Sequence, residues 1–371
     1  MKPTILLLAA TTSLAILCHA ESPTNVTAVP TAAKPAGQTR LGEAGLRRKP
    51  EWYASAEART IADNVVQYQS PQGGWPKNTD LTIRPTAEIL AKVVKDGSAN
   101  TIDNGGTTMP MRFLALMIHA TGNPNYQASF ARGFDYLLAA QYTNGGWPQF
   151  FPLRDHGYYS HITYNDNAMV NVLNLLRDAV GGKGSYEFVD KERRAKASAA
   201  MARGVDCILR TQIKQDGKLT AWCAQHDEVT LEPVWARNFE PPSFSGAESV
   251  GVVRFLMSVE KPAPEIVAAV EGAVTWLKSV KVSGLKYERT VAADGKRDGW
   301  VVKDENAGPL WARFYELGSN RPIFLGRDKV VHYALDEIER ERRAGYVYYG
   351  DWTDMLIERD YPRWRTEHKL P

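Results

Sequence analysis

Apolar residues recur at helical spacing through most of the chain, and the breaks between these stretches are polar and rich in glycine. Residues 54–68 carry such a pattern and end at a polar, glycine-rich turn. Residues 108–120 and 167–180 are apolar on most faces, which predicts helices enclosed by other helices. Segments 126–141, 191–211, 247–258 and 264–278 complete the series, with Pro264 near a helix start, where it is tolerated. Strand patterns are few; 284–290 with 299–303 predicts one small hairpin.

The breaks repeat. Gln67-Tyr68-Gln69-Ser70-Pro71-Gln72-Gly73-Gly74-Trp75-Pro76 is echoed by Gln141-Tyr142-Thr143-Asn144-Gly145-Gly146-Trp147-Pro148, then more loosely by 212–222 and by Asp298-Gly299-Trp300. Trp75, Trp147, Trp222 and Trp300 lie 72, 75 and 78 residues apart, the signature of a repeat architecture. Each second helix therefore runs into a Gly-Trp turn, and stacked helix pairs must bury their apolar faces on one another. The expected fold is all-α: an α/α toroid, or incomplete α/α barrel, of helical hairpins with long irregular loops. An open solenoid is the alternative. Four irregular repeats with chemically rich loops favour the toroid, because its loops share one face.

The ends of the chain refine this picture. Lys2, an apolar run over 5–17 and Cys18-His19-Ala20 read as a signal peptide, 1–20. The run is interrupted by Thr11, Thr12 and Ser13 and falls short of the roughly 20 apolar residues of a membrane span. Leu17 is too bulky for a lipid-attachment site at Cys18. Residues 21–47, rich in Pro, Ala, Thr and Gly, read as a flexible linker, leaving 48–371 as one domain in a secreted or periplasmic monomer. Cys207 and Cys223 either pair after export or stay as two buried thiols. A net charge of +3 gives no nucleic-acid footprint.

Candidate chemistry lies in the loops before the enclosed helices. Asp103 and Asn104 precede one, and Asn165, Asp166 and Asn167 precede the next. Such oxygens suit a hard cation such as calcium, and they equally suit helix N-caps. Their equivalent repeat positions favour a shared site. The C-terminal third sets arginines beside aromatic residues: Arg313 in Trp311-Ala312-Arg313-Phe314-Tyr315, Arg327 after Leu325-Gly326, and Arg340, Arg342 and Arg343 ahead of Gly345-Tyr346. Guanidinium forks grip carboxylates bidentately at any working pH. Arg340 and Arg343 read as an ordinary salt-bridged helix face; Arg313 and Arg327, flanked by apolar residues, do not. Arg237 lies among aromatic residues and prolines.

Taken in order, QSPQGGWPKNTD, NTIDNGGTT, GGWPQFFPL, HITYNDNAMVN, TAWCAQHDEVTLEP, WARNFEPPSFSG, WARFYEL and RPIFLGRD resemble polysaccharide lyase family 10, the α/α-toroid pectate lyases, from about residue 67 to 352. The resemblance implies calcium-assisted β-elimination of polygalacturonate. It assigns the base to Arg327, the calcium-centre acids to Asp103 and Asp166, and substrate-holding roles to Arg237, Arg313, Arg342, Lys77 and Tyr164. Two other readings stay open on the residues alone. A glycoside hydrolase could draft its two carboxylates from Asp103, Asp166, Asp227 and Glu228. A non-catalytic pectin-binding module would use the aromatic residues and arginines only to grip sugar.

Overall fold

From residue 108 onward, enclosed helices alternate with partly exposed ones. In the computed structural model, which describes residues 41–155 and 157–370, α1 is Ala56–Gln67, α2 Ala87–Lys95, α3 Thr108–Thr121, α4 Pro124–Ala139, α5 Ala168–Gly181, α6 Lys191–Thr211, α7 Glu248–Met257 and α8 Pro264–Ser279. Helices α3 and α4, α5 and α6, and α7 and α8 pack as hairpins. Neighbouring hairpins touch inner helix to inner helix, α3 to α5 to α7, and outer to outer, α1 to α4 to α6 to α8. That double row of helices is the α/α toroid.

One clamp repeats around it. The Trp75 indole N–H donates to the Val65 carbonyl, Trp147 to Leu137, Trp222 to Ile208 and Trp311 to Leu277, each at 2.8 Å. Each buried ring thus satisfies a carbonyl near the end of the preceding outer helix, where intrahelical partners run out. A glutamine then ties that turn to the next outer helix: Gln69 donates to Gly73 and Ser129, Gln141 to Gly145 and Ala200, Gln212 to Thr220 and Ala269. Gly73 and Gly145 have φ of 100° and 93°, and a Cβ there would lie 2.4 and 2.0 Å from the carbonyl oxygens of Arg132 and Arg203. Only glycine fits.

The fourth clamp is Trp311, whereas the Gly-Trp spacing had pointed to Trp300. The reason is an inserted hairpin, β1 (Leu285–Val291) with β2 (Arg297–Lys303), which carries Trp300 and postpones the clamp. Val282 and Leu310 exchange backbone hydrogen bonds across its base. The last segments add α9 (Arg340–Gly345) and α10 (Tyr361–Glu367).

Other expectations resolve locally. Cys207 and Cys223 are free buried thiols. Part of the expected linker, 41–47, belongs to the folded body: Leu41 is buried in the core and Gly45 accepts a hydrogen bond from the Tyr53 hydroxyl. The signal-peptide reading of 1–20 and the linker residues 21–40 lie outside the described residues. Among the described residues no helix is long and apolar enough to cross a membrane.

Candidate active site

The outer helices α1, α4 and α6 are capped by side chains: Ser55, Asn123 and Asp190 each accept from a backbone N–H in the first turn. Outer helix α8, which opens on Pro264, is not. The inner helices α3, α5 and α7 have no side-chain cap. The acidic and amide residues ahead of α3 and α5 are therefore not used as caps. They form two like turns, Asp103–Gly105 and Asn165–Asn167, in which Asn104 (φ 51°), Gly105 (70°), Asp166 (50°) and Asn167 (59°) are left-handed. Asn, Asp and Gly tolerate that region best. The backbone N–H of Thr101 bonds to the Trp75 carbonyl and that of Thr163 to Trp147, so Asp103 corresponds to Asn165, and Asn104 to Asp166.

Asp103 is buried. Its Oδ2 accepts from Lys77 Nζ at 2.5 Å and from Gln149 Nε2 at 2.8 Å. Asp166 accepts from Asn165 Nδ2 at 2.9 Å and Arg313 Nη2 at 3.2 Å, with 43% of its side chain exposed. Its pKa is raised, chiefly by the protein mass around it; Glu248 and Asp103 add to that rise, and Arg313 and Arg237 oppose it. The two aspartates thus share one field. Asn165 Oδ1 is buried and lacks a hydrogen-bond partner. Two carboxylates and an orphaned amide oxygen fit a hard, oxygen-seeking cation such as Ca²⁺.

Four arginines stand in two settings, and the first two of them act on Asp166. Arg313 donates to buried Glu248 and lies over the Tyr346 ring at 4.7 Å. Arg237 makes a two-pronged contact with Glu240, which is 1% exposed and also accepts from the Tyr346 hydroxyl at 2.9 Å. Burial works to lower both arginines' pKa, but the glutamates outweigh it and both stand above the ordinary value. Arg327 and Arg342 instead share Glu341. Each carboxylate oxygen receives one N–H from each guanidinium, with Arg327 at 2.9 and 3.0 Å and Arg342 Nε at 2.7 Å. Arg237 and Arg342 both lie over the Phe239 ring, at 4.8 and 4.5 Å. Arg340 and Arg343 pair with Asp294 and Asp298 on the inserted hairpin, as a salt-bridged face should.

One expectation needs correction. Tyr164 is fully buried, its hydroxyl within 2.8 Å of Thr211 Oγ1, so it packs the core beneath the site and cannot touch a substrate. Glu341 hydrogen bonds and charge raise the pKa of Arg327, as Glu240 does for Arg237. Sequence reasoning also passed over Glu240, Glu248, Gln149 and Tyr346. The one available signal was Arg237-Asn238-Phe239-Glu240, a charge pair three residues apart. The hydrolase candidates Asp227 and Glu228 cluster with His161, whose Nδ1 lies 2.8 Å from Glu228 Oε2.

A toroid that gathers arginines around paired aspartates defines an enzyme acting on an anionic polysaccharide. The family model for pectic acid lyase matches residues 69–357. Family 10 polysaccharide lyase from Cellvibrio cellulosa is similar at 32% identity and a TM-score of 0.73, over 90% of this chain and 100% of that one. A mutant of a Cellvibrio cellulosa family 10 lyase, in complex with trigalacturonic acid, is similar at 34% identity and a TM-score of 0.72, over 84% and 95%. No curated protein matches the chain. The chain belongs to the pectic acid lyase family, and it is a pectate lyase. The hydrolase and binding-module readings fall with that membership.

Proposed function

We propose that this pectate lyase cleaves α-1,4-linked polygalacturonate by calcium-assisted anti β-elimination, leaving a 4,5-unsaturated end, after export under its N-terminal signal. The observation that carries the reading is the joining of Asp103 and Asp166 in one field with Arg237 and Arg313 beside them. The C5 hydrogen is a poor acid because its loss adds negative charge to a carboxylate already charged. Fixed cations beside that carboxylate lower the barrier by stabilising the enolate-like charge as it develops. Asp103, Asp166 and the Asn165 amide oxygen would hold Ca²⁺, which would supply Lewis-acid polarisation of the carboxylate. Lys77 forms an ion pair with Asp103, and Arg313 is kept charged and oriented by Glu248.

The base is where geometry and resemblance part. Both arginines are tied to a glutamate, but Arg237 is the less exposed, at 40% against 63%, and its charge reaches both Asp166 and Tyr158, a ring that also senses Asp103. We therefore assign C5 proton removal to Arg237 and carboxylate binding to Arg327. Because Glu240 holds Arg237 above its ordinary value, elimination should run best at alkaline pH; a peak near pH 5 would count against the assignment.

The test is ultraviolet absorbance of the unsaturated product from polygalacturonate, with and without chelator. Arg237→Ala should lose about 10³-fold or more in kcat, on the scale of a proton-transfer group, while Arg327→Ala keeps most of its kcat. The reverse pattern would return the base to Arg327. No product from the parent protein at high pH with calcium would end the reading.

A further inference from the structure

The four arginines differ in what stands behind them. Glu240 and Glu248 are buried and have nowhere to go. Glu341 is 55% exposed, sits in the first turn of α9, and fills a cradle made by two guanidinium forks. Both of its oxygens are bridged by both arginines, the pattern with which two arginines would grip any free carboxylate.

The cradle does not need Glu341 to stay in shape. Arg342 is largely buried and stacked on Phe239. The backbone of Arg327 is fixed on both sides: its N–H donates to Glu339 Oε1 at 2.6 Å and its carbonyl accepts from Asn238 Nδ2 at 3.1 Å. Arg340 and Arg343 pin α9 to the inserted hairpin.

We propose that Glu341 is an internal competitor: it occupies, in the free enzyme, a subsite for one uronate carboxylate, and substrate must displace it. The inference rests on the pectate-cleaving reading above and deepens it by making this subsite selective for free acid over methyl ester. A methyl ester has no charge with which to displace Glu341, whereas a galacturonate carboxylate replaces it group for group. Glu341 is held down to about 2 in pKa by Arg342 first and Arg327 second, so the competition persists across every working pH.

The experiment compares the parent with Glu341→Gln and Glu341→Ala in the full chain. KM is measured on polygalacturonate and on highly methyl-esterified pectin, and trigalacturonate binding by calorimetry. Both variants should lower KM on polygalacturonate and tighten trigalacturonate binding by roughly two- to fivefold, the scale of an exposed ion pair. Neither should shift KM on the ester, and Arg342→Ala should weaken trigalacturonate binding. A KM that rises or stays fixed in both Glu341 variants would mean that the carboxylate merely braces the arginines, and the proposal would fall. A parent that binds trigalacturonate more weakly than Glu341→Gln yet yields no unsaturated product would refute the lyase reading while leaving the competitor intact.

Discussion

The pair Arg237 and Arg313 and the pair Arg327 and Arg342 have the same chemistry and different partners. The first two are paired with glutamates sealed in the protein, Glu240 and Glu248; the second two share Glu341, which reaches solvent. A sealed counter-ion cannot be replaced by substrate, so it orients its arginine permanently. An exposed one can be exchanged. The depth of the partner, more than the arginine itself, decides whether a cation is fixed in place at the reaction centre or can exchange its partner for substrate.

The sharpest way to break that contrast is to remove one partner from each pair. Glu248→Ala should destabilise the fold by about 3–5 kcal/mol in denaturant titration, because it strands the Arg313 charge, and Glu341→Ala should stay within about 0.5 kcal/mol of the parent. Equal costs would erase the distinction. Asp166→Asn should lower kcat about 10³-fold, the cost of losing a principal charge in the site. The same variant should melt at a higher temperature than the parent at neutral pH. With its pKa raised in the fold, the ionised carboxylate opposes folding once pH passes that value, and the amide removes the opposition.

Acid should act on the aspartate side. His226 is buried and neutral, donating from Nδ1 to the Leu231 carbonyl and accepting at Nε2 from Cys223 N–H; burial brings its pKa from 6.5 to about 4. It lies in the short strand Gln225–His226 that pairs with Ile162–Thr163, just before the Asp166 turn. Its contribution is whole above pH 6.5 and is lost as pH falls toward 4, on the order of 3 kcal/mol. A melting temperature that is flat across that window would rule this out. The smallest effect is expected for Arg327→Ala: about fivefold in KM on polygalacturonate, since an exposed charge-assisted contact is worth roughly 1 kcal/mol.

The helical rows were legible because burial writes itself as periodicity, and the glutamine and Gly-Trp turns because close backbone approach admits few residues. The pairing of Asp103 with Asp166 was legible from their places ahead of successive inner helices. The fourth clamp was not: an insertion moved Trp311 beyond the expected spacing while leaving a decoy at Trp300. Glu240 and Glu248 were missed because a glutamate among polar neighbours reads as surface until the fold closes over it. Tyr164 was misjudged for the opposite reason, since a tyrosine inside a loop rich in polar oxygens gives no sign that its ring turns inward to Thr211.

The inserted hairpin leaves the ring and returns at adjacent points, Val282 and Leu310, so its length is free to vary without disturbing the helix row. Yet through Asp294 and Asp298 it is also the anchorage of the segment bearing Glu341 and Arg342. Drift in that excursion would re-aim one end of the substrate path while the chemical step stays as it is. Diversification of chain-length or ester preference within this architecture therefore has a place to begin that spares the catalytic core.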